Sequence, residues 1–343
     1  MPRPPVFTRW RTRLKKGSWM DRYVLICGKG RSGSNRLLDA FDRHEGTICR
    51  SELNAVQGGD FNRLRPGMFE EDLTEADMES WRRAVTRARF RQSGRDRFDQ
   101  GDKSWANGMM GPANRVLSRP RLRRAMAKAL PGFDAHEWNR PGFTYDRTRA
   151  EAALLALKIL SWPGYAVKMH DADPGMLVVH NIRHPSKYLD SWMNRFVERH
   201  HEAHHEVFEK QKAELGRQMA YFGRDAATLE TFSEENFIEG ELWRWRFINE
   251  NLHDRLSGSD RYRVISYEAY EADPVGRMRE MFAYAGLPFE DRHAEGLKGM
   301  SNKLFAAPHG TRLDPDLSAR LIDKVLEGSP LLSLLPAPAG EAA

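Results

Sequence analysis

Cysteine is scarce in this 343-residue chain, which holds only Cys27 and Cys49. Two cysteines in separate apolar runs build no disulfide framework, so a reducing, cytoplasmic setting is expected. Long apolar runs are missing too. The opening MPRPPVFTRWRTRLKKGSWM has no continuous apolar stretch, so it reads as neither a signal peptide nor a membrane span. It reads as a disordered basic lead-in over residues 1–20. There Trp10, Leu14 and Trp19 offer at most weak contact with an anionic membrane surface. No helix-turn-helix, zinc-finger or RNA-reading signature occurs, so nucleic acid is not an expected partner. Acidic residues are outnumbered, 48 against 54 Lys and Arg, giving a net charge of +6; a small anionic ligand accounts for that balance. The length suits one domain over 21–328, with a helical excursion at about 60–150 and a disordered tail over 329–343. Nothing in the sequence indicates an oligomeric state.

What is present begins with residues 23–36, YVLICGKGRSGSNR, where a β-type run breaks into a glycine-rich cationic loop and then a helix start. Glycines let backbone approach an anion, and the following helix start adds N–H groups and positive potential. A triphosphate loop needs G-x-x-x-x-G-K-[ST]. Gly28 and Gly33 fit, but Ser34 and Asn35 stand where the lysine and the metal-binding hydroxyl belong, so triphosphate hydrolysis is not expected. Gly28, Gly30 and Gly33 also satisfy G-x-G-x-x-G, with Glu52 near the place of a ribose-binding acid. An NAD(P)-dependent oxidoreductase is therefore an alternative. Against it, Lys29 and Arg31 suit a more highly charged terminal phosphate group.

A second motif lies far away, at 177–192, LVVHNIRHPSKYLDSW. A buried strand, Leu177 to Ile182, ends at Arg183; Pro185 stops it, and Ser186 caps a helix carrying Ser191. A third segment, DRHEGTICRSELN, follows a helix over Ser34–His44 and forms a short strand over Thr47–Arg50, with Glu52 at its carboxyl end. Ligands bind at that end of open α/β sheets. Together these residues resemble the sulfotransferases that use 3′-phosphoadenosine 5′-phosphosulfate (PAPS). The first motif of that family is a basic residue followed by Ser-Gly-Thr/Ser, here Arg31-Ser32-Gly33-Ser34. Its second is Arg-x-Pro with a serine eight positions after the arginine, here Arg183 and Ser191.

The resemblance implies a parallel β-sheet flanked by helices, the P-loop NTPase-like sulfotransferase architecture. It implies that Arg31 and the loop N–H groups hold the 5′-phosphosulfate, with Ser34, Asn35 and Arg36 opening the helix beneath it, and that Arg183 and Ser191 bind the 3′-phosphate. Cys49-Arg50-Ser51-Glu52 is similar to the context of the catalytic glutamate in protein-tyrosine sulfotransferases and bacterial relatives. Glu52 is thus the candidate base for the acceptor hydroxyl. A rival base is His170, read as closing a strand over Ala166–Met169. Lys168 is a candidate cation for charge on the leaving phosphate. Tyr-Glu at 267–268, Asp273-Pro274 and Gly286-Leu287-Pro288 also resemble the family's carboxyl-terminal core. Its late basic loop matches Lys298-Gly299, so Lys298, with Lys303 and Arg312, is expected over the adenosine 3′-phosphate. The implied mechanism needs no metal, and the acceptor is a small molecule or glycan, with a saccharide or glycolipid hydroxyl favoured.

His201-Glu202-Ala203-His204-His205 satisfies H-E-x-x-H, the zinc-hydrolase pattern. Its charged flanks and the missing third ligand make it read as solvated helix surface. Elsewhere helices are expected over Glu151–Leu160, 186–204, 205–222, 234–256 and Val275–Ala285, with a strand over Arg261–Tyr267. The excursion offers Arg87, Arg91, Trp105, Trp138 and Tyr145 for acceptor recognition.

Overall fold

A computed structural model describes residues 22–51, 64–93, 103–106, 120–129, 137–139, 145–200, 204–298 and 313–335. The chain starts with β1 (Tyr23–Cys27), α1 (Ser34–Asp42) and β2 (Thr47–Ser51). The excursion contributes α2 (Glu75–Ala88), β3 (Arg91–Ser93), α3 (Pro120–Ala129), β4 (Glu137–Asn139) and α4 (Arg147–Ala152). Then come β5 (Leu154–Lys158), α5 (Pro163–Ala172), β6 (Met176–Ile182), α6 (Pro185–His200), α7 (His204–Ala220) and α8 (Glu234–Leu256). The chain continues through β7 (Tyr262–Ser266), α9 (Tyr267–Ala272), α10 (Pro274–Tyr284), α11 (Asp291–Lys298) and α12 (Pro315–Leu326).

Strands β2-β5-β1-β6-β7 form one parallel sheet in that order. Strands buried on both faces read as unbroken apolar runs, and β1 is buried throughout. Its period of two sends Tyr23, Leu25 and Cys27 into a core shared with α2, α5 and α8, and Val24 and Ile26 into one shared with α1 and α10. A third cluster joins α6, α7, α8 and α12. This is the α/β architecture expected, with helices on both faces. Among the described residues, no helix is long and apolar enough to cross a membrane.

Three elements differ from expectation. Glu151–Leu160 is the end of α4 followed by β5, which lies between β1 and β2. Leucine and alanine are good helix formers, but the run has no polar face to leave in solvent, and central-strand burial overrides propensity. Ala166–Met169 belongs to α5 and not to a strand, because Pro163 supplies a ready first turn. Past Ser329, Pro330–Leu334 forms a 3₁₀ turn whose Leu331 is fully buried, so the chain there packs on the core. Residues 336–343 and the lead-in with Trp10, Leu14 and Trp19 lie outside the described residues.

The excursion is tied down at several points. Thr74 and Asp77 form a capping box for α2, and the Trp81 indole donates to the Tyr23 hydroxyl at 3.1 Å. Trp105 lies buried, its indole donating to the Thr47 carbonyl at 3.0 Å. It packs as a core residue. Arg87 is exposed; Arg91 and Trp138 lie on the β3–β4 ribbon, and Tyr145 bridges Ala106.

Candidate anion-binding site

The glycine loop leaves β1 at the carboxyl edge of the sheet. Gly28 has φ 134°, and a Cβ there would stand 2.4 Å from the Asn181 carbonyl oxygen. Gly33 has φ 83°, and its Cβ would stand 2.0 Å from the Tyr267 ring. Both positions therefore require glycine. Gly30 does not, since the nearest atom to a Cβ there is Leu160 Cδ1 at 4.0 Å. Protein packing thus demands glycine at two of the three positions. Arg31 itself holds φ 73°, a conformation costing a non-glycine residue roughly 1 kcal/mol. Gly33 then occupies the N-cap of α1 with no side chain capping the helix, which suits an anion at its N-terminus.

The two distant motifs meet here. Arg31 Nε donates to Ser191 Oγ at 3.2 Å, and Arg183 Nη1 donates to the Arg31 carbonyl at 3.2 Å. Asn181, one strand residue before Ile182, donates to the Ser32 carbonyl at 2.8 Å. The Arg183 guanidinium lies 4.6 Å from the centre of the Tyr267 ring, the same ring that covers Gly33. Ser32 Oγ and Arg183 Nε are buried and make no hydrogen bond among the described residues. Buried polar atoms left unsatisfied are costly, and these two donors flank one loop, as a bound anion would require. Glu268 closes the far side; its Oε1 accepts from the His184 N–H at 3.0 Å, and burial raises its pKa.

Lys158 at the end of β5 is the residue that sequence reasoning missed. It pairs in register with Ile26 and Ser51, is 1% exposed, and its ammonium donates to Asn35 Oδ1. A buried cation thus stands at the carboxyl edge against the first turn of α1. A strand reading of LLALK would have placed it there.

Other predicted residues stand elsewhere. Lys168 donates to the Leu73 carbonyl at 2.7 Å. His170 Nε2 pairs with Ser259 Oγ at 2.9 Å, and the His170 carbonyl accepts from Arg261, just before β7 begins. Both are helical residues, and His170 lies at the amino edge of the sheet, opposite the loop, so neither side chain is brought to the anion site. Lys29 pairs with Glu241 at 2.8 Å and not with the anion site. Arg36 pairs with Glu271 at 2.7 Å, beside the Tyr267 hydroxyl that donates to the same oxygen. Lys298 is exposed and pairs with Glu295 at 2.6 Å. Glu52 lies outside the described residues, as do Lys303 and Arg312; Ser51, just before Glu52, closes β2 in register with Lys158.

For the histidine motif, His201 and Glu202 lie outside the described residues, His204 stacks on Phe237, and exposed His205 is 4.0 Å from Glu209. Among the described residues, the metal-ligand types that gather are His44, Glu45 and His293. His44 Nδ1 accepts from the Gly46 N–H at 2.9 Å, so its Nε2 donates to the Pro288 carbonyl at 3.1 Å. His293 Nδ1 accepts from the Glu290 N–H at 3.0 Å, so its Nε2 donates to Glu45 at 3.1 Å. With both Nδ1 lone pairs accepting and both Nε2–H groups donating, the trio forms a hydrogen-bonded clamp.

Comparison with known proteins gives a family. A model described as Sulfotransferase family matches residues 24–291. No curated protein matches. Among solved structures, a sulfotransferase from Mycobacterium avium is 15% identical, with TM-score 0.42 and coverage of 90% of this chain and 77% of that one. The sulfotransferase domain of the Synechococcus PCC 7002 olefin synthase is 18% identical, with TM-score 0.36 and coverage of 93% and 89%. The family match spans the glycine loop, β5 with Lys158, and the Arg183–Ser191 segment, and by it the chain belongs to the sulfotransferase family.

Proposed function

We propose that the protein transfers the sulfuryl group of PAPS to an acceptor hydroxyl. The observation that carries this reading is the junction of Arg31 with Ser191 and Arg183, flanked by Ser32 Oγ and Arg183 Nε, which have no hydrogen-bond partner among the described residues. One phosphate-type group would lie on Arg31, Ser32, Gly33, Ser34 and Asn35, and the other on Arg183 and Ser191. Two anion subsites served by two arginines fit a nucleotide carrying phosphates at both the 5′ and 3′ positions.

In the reaction the acceptor oxygen attacks sulfur, the bond from sulfur to the 5′-phosphate oxygen breaks, and the acceptor proton passes to Glu52. Lys158 would offset the negative charge that grows on the departing phosphate. The acceptor is a small molecule, with a saccharide or glycolipid hydroxyl favoured, and the setting is the cytoplasm. The oxidoreductase alternative loses support because the family match spans the glycine loop, whose Arg31 and Ser32 carbonyls are tied to Arg183 and Asn181 of the second motif.

Calorimetric titration with 3′-phosphoadenosine 5′-phosphate, with NADH and NADPH as controls, tests the donor. Binding of the bisphosphate that collapses in Arg183→Ala supports the reading. Binding of a nicotinamide cofactor instead overturns it. Loss of transfer in Glu52→Gln with donor binding intact supports the base.

A further inference from the structure

Lys29 lies inside the glycine loop yet pairs with Glu241 at 2.8 Å, both side chains largely buried. The same Glu241 oxygen accepts from the Tyr188 hydroxyl, and its other oxygen accepts from Arg244 at 3.0 Å. Arg244 continues to Gln211 at 2.7 Å on α7. Burial alone would raise the Glu241 pKa; Lys29 and Arg244 outweigh it and hold the group ionised. Lys29 stands two residues before Arg31, and Tyr188 stands three residues, nearly one helical turn, before Ser191 on α6. One carboxylate on α8 is therefore bonded to both of the elements that present the paired anion ligands.

Buried ion pairs of this kind contribute little net stability compared with apolar packing, because desolvation offsets the attraction. They do fix geometry, since each partner left alone would be a stranded charge. We propose that Glu241 is a positioning residue for the donor site: through Lys29 and Tyr188 it sets the spacing of Arg31 and Ser191. The inference rests on the donor reading above. Glu241 touches no donor atom and acts only through its two partners.

The test is titration of the full chain with 3′-phosphoadenosine 5′-phosphate, with thermal melts alongside. The variants are Glu241→Ala, Glu241→Gln, Arg31→Ala, Glu241→Ala with Arg31→Ala, and a Lys29→Met/Glu241→Met pair that removes both charges at similar volume. Glu241→Ala should weaken binding by about tenfold or more, and Glu241→Gln, which keeps an acceptor oxygen for Tyr188, by only about threefold. Removing Arg31 should cost less in the Glu241→Ala background than in the wild type, a coupling that loss of packing alone would not produce. If the Ala variant fails to fold, the Gln variant and the Met pair decide. Wild-type affinity in both of those folded variants, or independent effects of Arg31 and Glu241, overturns the proposal and leaves the donor reading standing. A wild-type protein that ignores the bisphosphate sinks the donor reading, and this inference with it.

Discussion

Arg31 and Ser191 are separated by 160 positions in the chain and joined by one hydrogen bond, Nε to Oγ at 3.2 Å. Arg183 adds a second tie to the backbone of the same loop. Groups in one network do not contribute independently. Ser191→Ala and Arg31→Ala should each weaken binding of 3′-phosphoadenosine 5′-phosphate, the arginine change by about 2–3 kcal/mol and the serine change by about 1 kcal/mol. The double variant should lose less than the sum. Strict additivity in titration calorimetry would mean that the bond between the two side chains is incidental to the ligand.

Only two of the three loop glycines are sterically required, and substitution separates them. Gly33→Ala combines a left-handed backbone with a Cβ 2.0 Å from the Tyr267 ring. It should lower stability by roughly 2–4 kcal/mol and abolish bisphosphate binding, because the ring cannot yield without moving Arg183. Gly30→Ala, with nothing closer than 4.0 Å, should stay within about 1 kcal/mol of wild type in urea melts. Equal damage at both positions would show that Gly30 is held as tightly as Gly33.

The parts of the site legible in the sequence are those carried by local pattern. A β-type run entering a glycine loop placed β1, Arg31 and Gly33, and a strand stopped by Pro185 placed Arg183 just past β6 and Ser191 on α6. Where the deciding force is tertiary, local pattern misleads. LLALK is made of helix formers, yet its place between β1 and β2 makes it a strand and sets Lys158 at the edge. The β-type look of Ala166 to Met169 yields to the helix start at Pro163. Lys29 looked like a ligand of phosphate because its partner Glu241 is distant in the chain and invisible to any local window.

Buried neutral histidines make acid sensitivity a second readout of the fold. His180 accepts from the Tyr262 hydroxyl at 2.6 Å and donates to Asn249 at 2.8 Å, and burial pushes its pKa down to about 4. His44, locked by Gly46 and Pro288, is also shifted down, chiefly by burial. A folded pKa below the unfolded value near 6.5 means that the unfolded chain binds the proton first. Stability is full above about pH 6.5 and falls through to about pH 4, with His180 alone accounting for about 3 kcal/mol. Glu268 and Glu250, raised by burial, act in the opposite direction, so the readout is a difference. Urea midpoints for wild type should drop more steeply between pH 6.5 and 4.5 than those for His180→Gln. Parallel curves would show that His180 titrates normally.

Lys158 makes the strongest chemical prediction, because it sets a buried ammonium at the carboxyl edge of the sheet, against the first turn of α1. A lysine 1% exposed at the end of a central strand is expensive to bury, and its bond to Asn35 joins β5 to the helix start that receives the anion. Replacement by methionine keeps the stem and removes the charge, so Lys158→Met should still fold, losing about 1–3 kcal/mol because Asn35 Oδ1 is left without its donor. Transfer from PAPS should fall by about 10²–10³, the loss typical of removing one preorganised group from a developing charge. Affinity for the bisphosphate product should fall much less, since charge on the bridging oxygen develops chiefly on the way to the transition state. Lys158→Arg should not restore the rate, because a planar guanidinium presents its charge at a different point from the compact ammonium. Rates measured with labelled PAPS, set against bisphosphate affinities by calorimetry, separate the two roles. A Lys158→Met protein that transfers sulfuryl at the wild-type rate would reduce Lys158 to a buried strut for α1.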